Sequence, residues 1–143
     1  MNAWTLHPQL AADTHAVASL DLCDVRLMDD ARFPWLVLVP RIEGAVDWID
    51  LPRDTQHRLI DEIEHAGRVL RAVASFDKLN IAALGNVVAQ LHVHVIGRSQ
   101  ADAAWPRPVW GTPGATPYPD GARDALVRQL RAGLDANGPS APE

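Results

Sequence analysis

The 143 residues are enough for one compact domain and leave little room for a second. Hydrophobic residues make up 48% of the chain and charged residues 22%, a globular balance that excludes disorder of the whole chain. The formal net charge of -5 lacks the basic excess that binding to a nucleic-acid backbone requires. We therefore expect no nucleic-acid partner, whereas a local group of backbone N–H donors can still hold a small phosphate.

The N-terminus and the single cysteine give an expected location. No basic segment followed by an apolar core opens the chain, and no apolar run approaches the ~20 residues needed to cross a bilayer. Cys23 has no partner for an internal disulfide and lies in an apolar stretch, so we expect a buried structural thiol. These features predict a cytoplasmic protein with no membrane partner.

The first half of the chain predicts strands followed by one long helix. Residues 1–15 favour a loop or a short helix, and residues 16–28 alternate apolar and polar side chains as one or two half-buried strands do. Residues 29–32 predict a turn. Residues 35–39 form an apolar run between two prolines, which indicates a short buried strand.

A helix is predicted from Asp54 to near Ser75, with Pro52 at its start, because apolar residues recur there in steps of three and four. Charged side chains lie mostly off this apolar stripe; they are Arg58, Asp61, Glu62, Glu64, Arg68 and Arg71. His57 and His65 share one side of the helix, and we expect both to be exposed.

The second half predicts two strands that can pair, over residues 79–84 and 91–96, joined through a tight turn at Gly85. Residues 101–121 are rich in proline and glycine but hold three aromatic residues that favour burial, which predicts an ordered loop packed over the domain. Residues 122–134 predict a closing helix, and the tail from about 137 is expected to be frayed. This order favours the α+β class in a single domain over residues 1–143.

The segment QLHVHVIGR carries the clearest chemical signal. On a strand, Gln90, His92 and His94 would point to one face, where they can grip a phosphate and present an imidazole to it. Two other interpretations stay open. The histidines can be half-solvated polar positions of a sheet, or zinc ligands, although a zinc site needs at least a third strong ligand and no HExxH or CxxC pattern is present.

This segment resembles the signature of the histidine triad (HIT) superfamily, in which three alternating histidines precede two apolar residues. His92 falls on the middle position and His94 on the third, while Gln90 replaces the first histidine. Trp35 stands where the family carries a fourth histidine. The surroundings are similar as well: Gly85-Asn86 matches the family's turn, and a bacterial branch is indicated by HPQLAADT, LMDDARFPWLVLVP and AWPRPVWG. The resemblance implies a HIT-like antiparallel sheet of about five strands with one long helix and a C-terminal helix.

The resemblance also implies a mechanism. His92 would attack the α-phosphorus of a nucleotide and form a covalent nucleotidyl-histidine, which water or another acceptor then resolves. His94 would donate a hydrogen bond to a phosphate oxygen and stabilise the transition state. Asn86 would add a phosphate contact. No metal and no cofactor is implied, and many members of the family are homodimers.

Further site residues are implied less directly. Asp29 and Asp30 would hold the ribose hydroxyls, with an ordinary Asx turn as an equal alternative. Arg98 would approach the phosphate or end the strand in solvent. Trp35 would line a base pocket, or belong to the core, with two neighbours, Leu27 and Phe33.

The departures at Gln90 and Trp35 affect the leaving group. Gln cannot donate a proton at neutral pH, and Trp offers only an indole N–H. Since general acid catalysis commonly supplies ~10²–10⁴ in rate, we expect a preference for leaving groups of low pKa, such as phosphate, over amines. Two functions stay open: a nucleotide hydrolase or nucleotidyl transferase, and a nucleotide-binding module with little or no turnover.

Overall fold

The computed structural model describes residues 3–136. In chain order the elements are α1 (Pro8–Asp13), β1 (Thr14–Ser19), β2 (Cys23–Met28), β3 (Trp35–Pro40), a 3-10 turn (Trp48–Asp50), α2 (Arg53–Val73), β4 (Lys78–Ala82), β5 (Val93–Arg98) and α3 (Asp120–Ala136). The five strands form one antiparallel sheet in the order β1-β2-β3-β5-β4. The predicted α+β class, the sheet of about five strands, the long helix and the C-terminal helix are therefore confirmed.

The pairing of the two later strands is also confirmed, with β5 displaced by two residues toward the C-terminus relative to the predicted 91–96. Ile81 of β4 lies opposite Val95 of β5. β5 begins at Val93, so His92 precedes the strand and only His94 lies within it. Strand pairing does not extend to Leu91 because its N–H donates to the carbonyl of Ala45, in the loop after β3, rather than to a neighbouring strand.

β3 is buried along its whole length because both faces of the sheet are covered there. Leu36 and Leu38 pack into the core under the helices, where α2 contributes Leu59 and Leu70. The opposite face belongs to a second cluster built from Trp35, Val37, Val39, Phe33, Ile96 and Val109. A strand covered on both faces favours apolar residues at successive positions, which accounts for the run WLVLV.

Two polar residues of α2 are buried, against expectation. Glu62 is fully buried and accepts hydrogen bonds from the backbone N–H groups of Leu22 and Cys23, at 2.9 and 2.8 Å. His65 is 7% exposed, and its Nε2 donates to the carbonyl of Leu134 at 2.8 Å. The prediction of an exposed position is wrong for His65 because α3 packs beside it. Glu62 is buried because its carboxylate accepts hydrogen bonds from two backbone N–H groups at the turn between β1 and β2. His57 is exposed, as predicted.

Cys23 is fully buried, as predicted for a structural thiol. Burial and the adjacent Glu62 carboxylate raise its pKa well above the ordinary value, so the thiol stays protonated. Across residues 3–136 there is no helix whose length and apolar character would let it cross a membrane. The tail predicted to be frayed from about 137 lies outside the described residues, and the single domain over residues 1–143 stays a prediction.

Candidate functional site

His92 has one ring nitrogen fixed by the protein. Its Nδ1 lies 2.6 Å from the carbonyl oxygen of Gln90. A carbonyl can only accept, so Nδ1 carries the ring proton and Nε2 keeps its lone pair. Within residues 3–136 no protein group hydrogen-bonds to Nε2 of His92, and that nitrogen is therefore free to act as a nucleophile.

His94 is held in the opposite sense. Its Nδ1 accepts a hydrogen bond of 3.0 Å from the indole N–H of Trp35, which leaves the proton of the neutral ring on Nε2. The ring is 4% exposed and lies against three others, with centroid distances of 4.9 Å to His92, 5.0 Å to Trp110 and 5.6 Å to Trp35. Burial, and then the nearby imidazole of His92, lower the pKa of His94 to about 4. At neutral pH His94 is an uncharged hydrogen-bond donor.

The sheet register brings these side chains together. His94 lies opposite Val37 on β3, and Trp35 lies opposite Ile96 on β5. Trp35 and His94 are therefore diagonal neighbours on one face of an antiparallel pair, within reach of each other as aromatic side chains. This face lies away from α2, in the second apolar cluster. The 3.0 Å bond between the indole and the imidazole follows from this geometry.

Two cavities flank the row of rings. The first has a volume of about 410 Å³ and is bounded by His92 with a mainly apolar wall: Val46, Asp47, Trp48, Ile49, Ala83, Leu84, Gly85 and Leu91. The second, of about 380 Å³, is lined by Trp35 and Trp110 together with the loop that holds Asp29, Asp30 and Arg32. His92 lines the first cavity, and the two tryptophans of the second cavity contact the ring of His94.

Gln90 contributes through its backbone. Its carbonyl orients His92, whereas its side chain binds the N-terminal segment: Oε1 accepts from the N–H of His7 at 2.8 Å, and Nε2 donates to the carbonyl of Thr5 at 2.9 Å. The Gln90 amide is therefore engaged by the backbone of residues 5–7, and its place as the first triad position and its catalytic role stay predictions.

Asp29 and Asp30 anchor the long loop that covers the site. Asp30 receives the guanidinium of Arg32 through both oxygens, and the N–H of Arg32 closes an Asx turn at 3.1 Å. Although burial raises its pKa, these hydrogen bonds lower the pKa of Asp30 below the ordinary value. Asp29 accepts from the N–H of Tyr118, which lowers its pKa as well. The Asx turn is thus present, and both residues still line the second cavity.

Arg98 is 1% exposed, so the alternative of a solvated strand end is wrong. Its guanidinium forms a two-point ion pair with Asp102 at 2.8 and 3.1 Å and donates to Asn80 at 3.0 Å. Asp102 in turn caps the start of the loop by accepting from the N–H groups of Ala104 and Trp105. These partners engage all three nitrogens of the guanidinium. A phosphate contact from Arg98 therefore has no support from this geometry and stays a prediction.

Asn86 is exposed in the turn that follows Gly85. Gly85 has a φ of 79°, a left-handed conformation that suits glycine, and it lines the first cavity beside His92. This turn carries the chain from β4 back toward His92. The role of Asn86 in phosphate binding stays a prediction.

Trp110 is the site residue that sequence reasoning missed. It is 37% exposed and packs edge-on against both His94 and Trp35. An aromatic residue in a loop rich in proline and glycine was the available signal, and it correctly predicted an ordered loop. Which ring would reach the imidazoles depends on how Asp30 and Asp102 fold the loop, and that is a tertiary property.

A metal site would need more ligands than the imidazole pair supplies. Among residues 3–136 there is no group of three or more His, Cys, Asp or Glu residues that could hold a metal ion. Asp47 lines the first cavity together with His92, but it does not complete a group of three candidate ligands among the described residues.

Comparison with known proteins identifies the family. The sequence profile of the HIT domain matches residues 9–101. The chain belongs to the HIT domain family. A search of curated proteins gave no match.

Solved structures of three histidine triad proteins are similar to this HIT chain. The protein from Bradyrhizobium japonicum is 45% identical, with a TM-score of 0.90, over 92% of this chain and 98% of that chain. The protein from Sinorhizobium meliloti is 38% identical, with a TM-score of 0.90, over 94% and 99%. The protein from Marinobacter aquaeolei is 42% identical, with a TM-score of 0.89, over 93% and 97%. HIT proteins are generally nucleotide-binding or nucleotide-hydrolysing.

Proposed function

We propose that this HIT protein is a nucleotide hydrolase or nucleotidyl transferase in which Nε2 of His92 attacks the α-phosphorus of a nucleoside phosphate. The observation that carries the proposal is the 2.6 Å contact between Nδ1 of His92 and the carbonyl of Gln90. This contact keeps a proton on Nδ1, so in the neutral ring the lone pair lies on Nε2, the nitrogen that must attack.

The reaction proceeds in two displacements. The bond from Nε2 of His92 to phosphorus forms as the bond from phosphorus to the leaving group breaks, and the leaving group departs with the electron pair. Water, or another hydroxyl acceptor, then attacks phosphorus and releases its proton to solvent, and the electron pair of the P–N bond returns to Nε2 as that bond breaks. In both steps His94 donates from its own Nε2–H to a phosphate oxygen, where negative charge develops.

The second cavity suits the nucleoside. Trp35 and Trp110 supply aromatic surface for a base, and Asp29 and Asp30 supply carboxylates in the same cavity for the ribose hydroxyls. The hydrogen bonds that these carboxylates already make to the loop hold their oxygens in place. Arg98 is left out of this proposal because Asp102 and Asn80 engage it, and Asn86 is retained as a phosphate contact.

The first cavity receives the leaving group. The two groups that replace the family's first and fourth histidines are both already engaged: the Gln90 amide binds the backbone of Thr5 and His7, and the Trp35 N–H is given to His94. Neither is a proton source for a departing amine. This supports the preference for leaving groups of low pKa.

Trapping the covalent intermediate tests the proposal. Purified protein is mixed with an adenylyl anhydride or an adenosine phosphoramidate, quenched in base and digested for mass spectrometry. We expect an adenylyl group on His92, faster turnover of the anhydride, and loss of both adduct and turnover in His92→Ala. His57→Ala, which removes an exposed helix histidine, is the matched control. Tight nucleotide binding with neither adduct nor turnover would establish the alternative, a nucleotide-binding module.

The proposal extends to a cytoplasmic homodimer that takes a small nucleotide and no nucleic acid. β4 is an edge strand of the sheet, and its Ile81 is 52% exposed. An unpaired edge with an exposed apolar side chain favours pairing with a second copy. Sedimentation at the assay concentration measures the mass, and a monomer would contradict the homodimer without affecting the chemistry.

A further inference from the structure

Trp35, which stands in place of the family's fourth histidine, is hydrogen-bonded to His94, the imidazole proposed to assist catalysis. Trp35 is 7% exposed, and its indole N–H lies 3.0 Å from Nδ1 of His94, which is 4% exposed. An indole N–H can donate and cannot accept. A histidine at this position could donate or accept. Tryptophan therefore fixes the direction of the hydrogen bond to His94, whereas histidine would allow both directions.

We infer that Trp35 is a positioning residue that fixes His94 in one ring orientation and in the Nε2–H tautomer, so that Nε2–H faces the reacting phosphate. The catalytic part of this inference rests on the proposed function. The structural part, the state of the His94 ring, stands without any substrate.

The alternatives are disfavoured by burial. If the His94 ring rotated by half a turn, a carbon atom would face the indole, and the buried N–H of Trp35 would lose its acceptor. If the proton moved to Nδ1 instead, two donors would point at each other. Leaving a buried donor unsatisfied lowers the population of such a state by roughly 5–150-fold.

Trp35 can hold His94 because Trp35 is itself held. Its backbone is paired with Ile96 on β5, and its ring is packed edge-on between Phe33, at a centroid distance of 6.4 Å, and Trp110, at 6.1 Å. The indole N–H therefore has a fixed direction. The His94 side chain adapts to that direction rather than setting it.

The first test is the protonation of the His94 ring in the protein without nucleotide. Long-range ¹H–¹⁵N correlation spectra at pH 7 distinguish a protonated Nε2 from a protonated Nδ1. We expect only the Nε2–H form in the wild type. Replacing Trp35 by 3-benzothienylalanine, which keeps the bicyclic shape and removes the N–H, should introduce the Nδ1–H form or exchange between ring states. A wild-type mixture, or an unchanged spectrum in the substituted protein, would overturn the inference.

The second test is a double-mutant cycle on turnover. We expect the benzothienylalanine protein, which keeps the bicyclic surface offered to the base, to lower kcat by about 10-fold with KM nearly unchanged, part of the ~10²–10³ that a complete oxyanion donor supplies. Trp35→Phe should lower kcat similarly and also raise KM, because it reduces that surface. In a His94→Ala background the same change should cost nothing further, because its route to the phosphate is already absent. Trp105→Phe, the matched tryptophan control on the covering loop, should keep kcat within a factor of about two.

These outcomes separate the inference from the proposed function. An equal loss of kcat in both backgrounds would show that Trp35 acts independently of His94 and would overturn the positioning role. Absence of a nucleotidyl adduct on His92 would remove the proposed reaction and leave the spectroscopic result standing. The benzothienylalanine protein keeps the experiment decisive where Trp35→Phe disturbs the packing.

Discussion

Two buried histidines on opposite sides of the sheet show what distinguishes a structural imidazole from a reactive one. His65 and His92 have the same exposed fraction, 7%, so burial does not separate them. Nε2 of His65 donates to the carbonyl of Leu134 and ties α2 to α3. His92 uses Nδ1 for the Gln90 carbonyl, and no group within residues 3–136 hydrogen-bonds to its Nε2. Each ring therefore has one nitrogen engaged by a backbone carbonyl, and His92 also lines the first cavity, a position that supports its proposed role as the nucleophile.

The largest expected effect comes from replacing histidine by glutamine at each of these two positions, one on each side of the sheet. His92→Gln should lower kcat by at least about 10³-fold, because no nucleophile remains to form the covalent intermediate. His65→Gln should leave kcat within a factor of about two and lower the free energy of unfolding instead. Steady-state turnover and urea unfolding of both variants measure this contrast. Comparable turnover in the two variants would contradict the assignment of His92 as the nucleophile.

His94 should show an intermediate effect because it assists rather than attacks. His94→Ala should reduce kcat by ~10²–10³ while the nucleotidyl-His92 adduct still forms slowly. Single-turnover measurements with a chromophoric nucleotide ester resolve formation of the adduct from its breakdown. We expect both steps to slow, since the donor faces a phosphate oxygen in each. A loss confined to nucleotide affinity would assign His94 to ground-state binding.

The stability of the protein should depend on pH because His94 is buried as a neutral ring. Its pKa is about 4 in the folded protein against 6.5 for the ordinary side chain, so the unfolded chain binds the proton more tightly. The stability from the neutral ring is therefore complete above about pH 6.5 and is lost as the pH falls toward 4. The loss amounts to about 3 kcal/mol. Urea unfolding at a series of pH values measures it, and His94→Asn should flatten this part of the profile.

Local patterns predicted the elements well, and tertiary contacts decided the rest. The stripe along α2 and the apolar run of β3 specify a helix and a doubly covered strand from neighbouring residues alone. His92 and His94 followed from the alternating pattern and the family resemblance. Trp110 could not be predicted as a site residue, because its position depends on ion pairs and turns at Asp30 and Asp102 that are distant in sequence.

Glu62 shows why the helical stripe failed at one position. A charge off the apolar stripe is normally exposed, yet Glu62 is fully buried because the turn between β1 and β2 presents two backbone N–H groups to α2. Periodicity along a helix contains no information about unpaired donors on another element. The burial of Glu62 as an acceptor for two backbone N–H groups therefore could not be predicted from the helix pattern.

The smallest expected effect tests that role and leaves the reactive face untouched. Glu62→Gln keeps the shape of the side chain but turns an NH₂ group toward one of the two backbone N–H donors. We expect the free energy of unfolding to fall by ~1–3 kcal/mol, the cost of one buried unsatisfied group, with kcat unchanged. Glu64→Gln, whose side chain is 60% exposed beside Arg68, is the matched control and should change stability by less than about 0.5 kcal/mol. If Glu62→Gln is as stable as Glu64→Gln, the carboxylate is not what holds the turn. If it lowers kcat while the protein stays folded, the two sides of the sheet are coupled through β2 and β3, and the separation between a structural and a reactive side does not hold.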